Sequence, residues 1–429
     1  MICAFATAAL IPRPAGADTL SLERCLELAA ERNLSLKKQV AIAAAAVDAR
    51  RAGLWPRLSL GSSATYVSEL ARLEFPFSIP GAEAIEVGSK DQYDISAGLS
   101  MPLFTGMRTR HLVRSAEESH IQAQYRMEAS RNTVLLGVHR LYHGMQANLL
   151  GREILHASMR RIGNHLEQAR RLLEEAQITP FDTLEAANRL LEVETDLAGL
   201  RRQYRVTAVN LANLLDIPAV DSIDALAADG MPGEIAPLEE YERLAMENRP
   251  ELAVVDHAVL ELEHRKKAAG SSYFPQIHAS ASYHYARPGV NFFENEWMDY
   301  YAVGVQLQWE LWNMGRTGSE VKQAGHALDS SRLESERVRK EIHRAVAAAY
   351  EELVSSRERI VLQRRLVEQE RERYRIVFER YAAGLATSFD ARDAEESLTA
   401  AELRLAAGYV EFEMKRAELD YASGLIRPE

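Results

Sequence analysis

Tyr300-Tyr301-Ala302-Val303-Gly304-Val305-Gln306-Leu307-Gln308-Trp309-Glu310-Leu311 alternates along its whole length. Tyr301, Val303, Val305, Leu307, Trp309 and Leu311 fall on one side; Tyr300, Ala302, Gly304, Gln306, Gln308 and Glu310 fall on the other. Successive side chains of a strand point to opposite faces, so this period of two predicts a strand with one apolar face. Three further segments read the same way. Ile277, Ala279, Ala281, Tyr283 and Tyr285 oppose His278, Ser280, Ser282 and His284. Tyr93, Ile95, Ala97, Leu99, Met101 and Leu103 form another apolar row, and Leu58, Leu60, Ser62, Ala64 and Tyr66 a weaker one. Each segment has about ten to twelve residues, the length of a tilted strand crossing a bilayer. Aromatics gather near the ends (Trp55, Tyr66, Tyr93, Phe274, Tyr285, Tyr301, Trp309, Trp312), as interfacial girdles do. Two half-buried hairpins packed on helices in a soluble protein would carry the same pattern, so the strands alone leave both readings open. Four strands do not close a barrel wide enough for a duct. A membrane reading therefore requires several copies, and three would supply twelve strands.

Working outward, the flanks of this strand recur elsewhere in the chain. Leu311-Trp312 with Arg316-Thr317 echoes Leu103-Phe104 with Arg108-Thr109, and Phe389-Asp390 echoes Phe181-Asp182. Arg108 and Arg316 are 208 positions apart, and so are Phe181 and Phe389. A helix cannot absorb an insertion without rotating everything beyond it, so equal spacing points to a rigid helical arm in each half. Upstream, Leu22-Glu23 matches Leu238-Glu239, and Trp55-Pro56 matches Phe274-Pro275. The chain is thus one unit written twice. The first repeat covers 18–217, with a strand hairpin over 55–104 and long helices over 108–216. The second covers 238–429, with a hairpin over 274–312 and long helices over 316–424. Residues 218–237, rich in Asp, Gly and Pro, link them. A helix is expected over Leu20–Gly53, and a loop near Arg72–Asp91, which holds Pro76, Pro80, Gly81 and Gly88 as breakers.

Arg108 to about Gln177 contains no proline, and a helix of that length would be roughly 100 Å long. Its counterpart carries a seam at Ile342, Val346, Ala349, Leu353, Ser356, Ile360, Gln363, Val367, Glu370, Tyr374, Val377 and Tyr381, stepping by four and three. Ser, Gln and Glu dilute this seam, which fits a helical wall with one side in water.

The 429 residues are 47% hydrophobic and 26% charged, enough for a packed core. A net charge of -11 argues against a nucleic-acid partner, which would need a basic face. Met1 to Pro12 is apolar, and Ala15-Gly16-Ala17 precedes Asp18, so 1–17 reads as a shortened signal peptide. Cys3 and Cys25 have no ligand spacing and form no disulfide framework. No run reaches the roughly 18 apolar residues of a membrane helix, which leaves a closed barrel as the way to cross a bilayer. HExxH, GxSxG, P-loop and GxGxxG arrangements are absent, and the twelve histidines are scattered. No catalytic residue, metal site or cofactor is therefore expected, and the chain reads as no enzyme.

Met101-Pro102-Leu103-Phe104-Thr105-Gly106-Met107-Arg108, Leu311-Trp312-Asn313-Met314-Gly315-Arg316, and the reversals Gln177-Ile178-Thr179-Pro180-Phe181-Asp182 and Tyr381–Asp390 together resemble the TolC-like outer-membrane efflux proteins. The resemblance covers residues 18 to 427. It implies a mainly α fold with a small β part: long helical hairpins forming a trimeric α-barrel, and four strands per subunit contributing to a shared 12-stranded β-barrel. It implies a homotrimer in the outer membrane extending into the periplasm, an exit duct for efflux or type I secretion. The partners would be a periplasmic adaptor (membrane fusion) protein and an inner-membrane transporter. Outer-membrane lipid would touch Tyr301, Val303, Val305, Leu307 and Trp309. By family position, Asp390, Asp393, Tyr381 and Asp182 would stand at the channel constriction. Asp390 and Asp182 are equally placed to cap their helices. Thr179, Pro180, Phe181, Gly384, Leu385 and Phe389 would form adaptor-docking tips, or the two Phe would pack the turns. The alternative function is a soluble periplasmic coiled-coil scaffold. Pro180 departs from the glycine pattern of the second turn.

Overall fold

The computed structural model describes residues 19–31, 34–73, 85–227 and 230–427. The expected signal peptide and residues 74–84 of the long loop lie outside the described residues. The elements run α1 (Leu22–Glu31), α2 (Leu34–Ala52), β1 (Arg57–Tyr66), β2 (Ala71–Leu73), β3 (Ile85–Val87), β4 (Asp91–Phe104), α3 (Arg108–Glu174) and α4 (Pro180–Leu215). Then come α5 (Leu238–Asn248), α6 (Pro250–Gly270), β5 (Gln276–Arg287), β6 (Met298–Gln308), α7 (Arg316–Ala382) and α8 (Ser388–Ala422). Within the helix expected over Leu20–Gly53, the described residues are helical as α1 and α2, and residues 32 and 33 between them lie outside the described residues. The loop near Arg72–Asp91 carries a small antiparallel pair, β2 with β3. No helix among the described residues is long and apolar enough to cross a membrane.

α3 and α7 each have 67 residues and begin at Arg108 and Arg316, so the two arms predicted from equal spacing are equal in length. Contacts divide the chain across both repeats rather than between them. Of the described residues, one compact unit takes those up to 36, within 126–252 and from 338 on; the other takes those within 37–125 and 253–337.

The first unit is helical. In the first repeat, Leu135, Val138, Tyr142 and Met145 of α3 pack on Leu211 and Leu215 of α4 and on Cys25 and Leu26 of α1. In the second, the seam residues Ile342, Val346, Leu353 and Ile360 pack on Tyr409, Phe412 and Leu419 of α8 and Ala245 of α5. Each buried Leu, Ile, Val, Phe or Met among these contributes about 1.5–3 kcal/mol by leaving water. The seam is drier here than its composition suggests: Ser356 is buried and returns its hydroxyl to the Leu353 carbonyl at 2.7 Å. The linker is also packed. Ile223 is buried, the Asp224 N–H donates to the Tyr142 hydroxyl at 3.2 Å, and the Tyr409 hydroxyl donates to the Gly230 carbonyl at 2.9 Å. Burial, aided by Asp224, pushes the Cys25 thiol up to about 12, so this cysteine is inert.

The second unit holds the sheet, with order β1-β4-β5-β6, antiparallel throughout. Register decides the faces. Leu58 pairs with Leu99, Leu99 with Ala281 and Ala281 with Val303, so the four apolar rows read from sequence fall on one side. The opposite side carries Ser59, Gly61, Ser96, Gly98, Ser280, Ser282, Ala302 and Gly304. The register shifts between Pro102 and Phe104, as expected where a proline cannot donate to the ladder.

Each strand-to-helix joint uses two consecutive left-handed residues, Gly106-Met107 (φ 60 and 68) and Met314-Gly315 (φ 55 and 80). Gly106 is further constrained, because a Cβ there would lie 2.7 Å from the Ser271 carbonyl oxygen. The glycine of the Gly/Arg motif is therefore a backbone requirement of the joint. The strand expected to run to Leu311 stops at Gln308: Trp309 leaves the ladder and donates its indole N–H to the Tyr273 carbonyl at 3.1 Å.

Candidate functional site

Two surfaces carry the chemistry, the helix reversals of the helical unit and the sheet of the other. The reversals repeat at the level of single hydrogen bonds. In the second turn the Asp390 carboxylate accepts from the Thr387 N–H at 2.9 Å and from its hydroxyl at 2.6 Å, while Thr387 Oγ1 accepts from the Asp390 N–H at 3.1 Å. In the first, Asp182 accepts from the Thr179 N–H at 2.9 Å and from its hydroxyl at 2.8 Å. These are capping boxes with Asp in the third helical position. The bonds from Thr387, with Arg380 nearby, hold the Asp390 carboxyl below its ordinary range. That contribution is complete above the ordinary carboxylate range and fades as pH falls through the lowered value.

The same repeat explains how the first turn manages without glycine. Gly384 takes φ 72 before the second reversal, and Ala176, 208 positions earlier, takes φ 59. Gln177 N–H reaches the Leu172 carbonyl at 2.8 Å as Leu385 N–H reaches that of Arg380 at 2.8 Å, so both helices end in the same left-handed cap. A Cβ in that conformation costs about 1 kcal/mol. Ala176→Gly should therefore raise unfolding stability by about that amount in denaturant titration of the detergent-solubilised chain.

Phe181 and Leu385 are each 70% exposed and Phe389 is exposed, so the two Phe do not pack the turns. The Arg392 guanidinium lies 5.2 Å from the Phe389 ring centroid. Thr179, Pro180 and Gly384 are exposed beside them. Asp393 is not a bare carboxylate, because it pairs with Arg373, which also reaches Glu370 at 3.3 Å. Asp390 is exposed. Tyr381 is 1% exposed, packed with Leu172 and Ala391 and edge-on to His165 at 4.7 Å. Its hydroxyl faces that of Ser388, but neither closes a hydrogen bond of good geometry. In the subunit Tyr381 is a core residue behind the turn rather than an open lining residue.

Sequence reasoning missed the buried polar cluster above these turns. Glu395, 4% exposed at its side chain, accepts from Ser158 at 2.6 Å, Thr399 at 2.6 Å and Arg161 Nε at 3.4 Å. Arg161 also donates to Thr399 at 2.7 Å and Glu402 at 3.1 Å, and Arg371 reaches Glu402 at 3.3 Å. α3, α7 and α8 are thereby stitched together. Burial pushes the neighbouring His165 imidazole down, which favours its neutral form. The i,i+4 pair Glu395/Thr399 is unremarkable on a helix, and nothing local marks it as buried.

The apolar face of the sheet is the larger exposed surface. Tyr301 is 80% exposed and Val303 76%, and Leu58, Leu60, Ile95, Val305 and Leu307 are exposed beside them. Among the described residues, β1 and β6 each leave one edge unpaired. No group of three or more His, Cys, Asp or Glu among those residues is placed to hold a metal ion.

Residues 25–216 and 243–424 match the family model described as outer membrane efflux protein. The chain is 23% identical over 341 residues to the alkaline protease secretion protein AprF of Pseudomonas aeruginosa, covering 78% of this chain and 70% of that one. It is 21% identical over 378 residues to the probable efflux pump outer membrane protein TtgC of Pseudomonas putida, covering 83% and 72%. Its fold is similar to that of the outer-membrane channel OprN, with a TM-score of 0.78 at 18% identity over 95% of this chain and 91% of that one. Two matched repeats, the strand-to-helix joints and the paired reversals agree with these likenesses: the chain belongs to the outer membrane efflux protein family and is an outer-membrane channel subunit.

Proposed function

We propose that three copies of this chain form a passive exit duct, their strands making one 12-stranded barrel in the outer membrane and their long helices a tunnel wall in the periplasm. The observation that carries this reading is the sheet, with one face apolar and exposed, the other polar and small, and two unpaired edges. In water such edges invite aggregation, and closure with neighbouring copies removes them. An apolar outside and polar inside are what a bilayer-spanning channel requires. The soluble-scaffold alternative gives no use for that face. The duct takes its cargo from an inner-membrane transporter through a periplasmic adaptor, which docks at the tips carrying Phe181, Leu385 and Phe389. It performs no catalysis of its own.

Asp390 lines the constriction as a ring of three carboxylates, with Asp393 one turn along and Asp182 on the companion turn. Such rings favour cations. Because Asp393 is paired with Arg373, Asp390 supplies more of the preference. The test is the reversal potential of the reconstituted chain in a salt gradient. Asp390→Asn should lower cation preference, and Asp393→Asn should lower it further by leaving Arg373 with Glu370 as its one remaining carboxylate partner at 3.3 Å. Unchanged selectivity in both would remove these residues from the constriction. Recovery of the mature chain as a detergent-free soluble monomer would sink the duct itself.

A further inference from the structure

On the polar face of the sheet, three strands bring together a constellation that the duct reading has not used. His284 of β5 has Nδ1 2.8 Å from Asp94 Oδ2 on β4 and Nε2 3.0 Å from Ser282 Oγ. Its ring stacks on Tyr300 of β6, with centroids 4.9 Å apart and planes 7° from parallel. Asp94 and His284 lie within four residues of the strand ends at Asp91, Arg287 and Met298, away from the strand-to-helix joints at Phe104 and Arg316. Among strand residues of this face, the other charged or titratable side chains are Arg57 and His278, at the opposite end, and the Tyr300 phenol itself. Ser63 faces Asp94 from β1, and Ala302 faces Ser282 from β6. Lys90, Glu294 and Glu296 sit in the connections beyond that end of the sheet.

The connectivity Ser282–His284–Asp94 has the order of a nucleophilic triad. It does not support acyl transfer, because β5 is a central strand and its N–H groups are spent on the ladders to β4 and β6. No pair of free donors is left to hold an oxyanion. The arrangement is suited to something else. With His284 neutral, Nδ1–H donates to the Asp94 carboxylate and Nε2 accepts from the Ser282 hydroxyl, so the site carries one negative charge. With His284 protonated, both ring nitrogens donate. Ser282 has only to turn its hydroxyl and accept, since serine can do either. The Asp94 bond becomes charge-assisted, and the stack on Tyr300 becomes a cation–π contact. The charge of the site falls from minus one to zero with no bond lost and no side chain displaced.

Building on the duct reading, we infer that Asp94, held by His284 on Tyr300, is a selectivity residue at the outward mouth of the barrel, and that protonation of His284 switches its charge off. Three copies place three such carboxylates around one opening, where a ring of like charge favours cations. The element stands at the barrel end of the duct, so acid outside the cell would reach it directly.

The experiment uses the full chain in planar bilayers, with reversal potential measured in a potassium chloride gradient and each side acidified in turn from about pH 8 to 5. Wild type should lose at least about half of its cation preference when the barrel side is acidified. His284→Gln should keep its preference at both pH values, because Asp94 stays charged. Asp94→Asn should have the low preference at both, and gives a second reading should the His284 variant not assemble. A conducting wild type that ignores barrel-side acid overturns the inference while leaving the duct intact, as does a His284→Gln channel that responds like wild type. A wild type that conducts nothing overturns the duct and the selectivity role with it.

Discussion

Val303→Lys together with Val305→Lys should abolish recovery of the protein in the outer-membrane fraction. Both residues lie mid-strand on β6, on the apolar face, and both are more than two-thirds exposed in the subunit. A lysine facing lipid near the bilayer midplane costs about 2–4 kcal/mol per site. Two per strand are repeated in every copy of a trimer, so the cost multiplies in the assembly. β6 is also an edge strand, and its free side must pair with a neighbour for the barrel to close. The control is Gln306→Lys on the opposite face, where a charge meets the water of the channel and assembly should survive. Fractionation of membranes and a cross-linking assay for trimers read both outcomes. Equal tolerance at Val303 and Gln306 would mean that the apolar face does not meet lipid.

The second large effect lies in the helical unit. Glu395→Ala should lower unfolding stability by about 3 kcal/mol in denaturant titration of the detergent-solubilised chain. Removing one member of a buried ion pair leaves its partner's charge uncompensated, and that penalty dominates the loss. The figure belongs at the low end of the usual range, because Arg161 keeps Glu402 as a partner at 3.1 Å. Ser158 would lose its acceptor at 2.6 Å as well. Arg161→Met in the same background should recover much of the loss, because no buried charge is then left alone and Glu402 retains Arg371. The two changes are thus strongly non-additive, and a simple sum of the single effects would show that Glu395 and Arg161 act separately.

Much of the site was legible because the chain states it twice. Thr179-Pro180-Phe181-Asp182 and Thr387-Ser388-Phe389-Asp390 differ at one position, and the structure gives them the same cap. The capping role of Asp390 was readable from its place in the first turn. The left-handed Ala176 was not, because only alignment of the two turns reveals that it occupies the glycine position. The charge state around Asp393 was hidden too. Arg373 stands twenty residues away on another helix, and no local pattern predicts which of several nearby arginines will reach it.

By itself, the sequence determined periodicity, length and repetition: four strands with one apolar row each, two arms of equal length, and two reversals with the same capping residues. These follow from local rules, since a strand alternates by two, a helix cannot take an insertion unnoticed, and a cap satisfies N–H groups within three residues. Tertiary structure alone decided which polar groups meet. Glu395 found Arg161 and Ser158 across helices, Asp94 found His284 and Tyr300 across strands, and Tyr381 was withdrawn into the core. Such pairings depend on register and helix rotation, where a shift of one residue would exchange every partner, and no single segment encodes that choice.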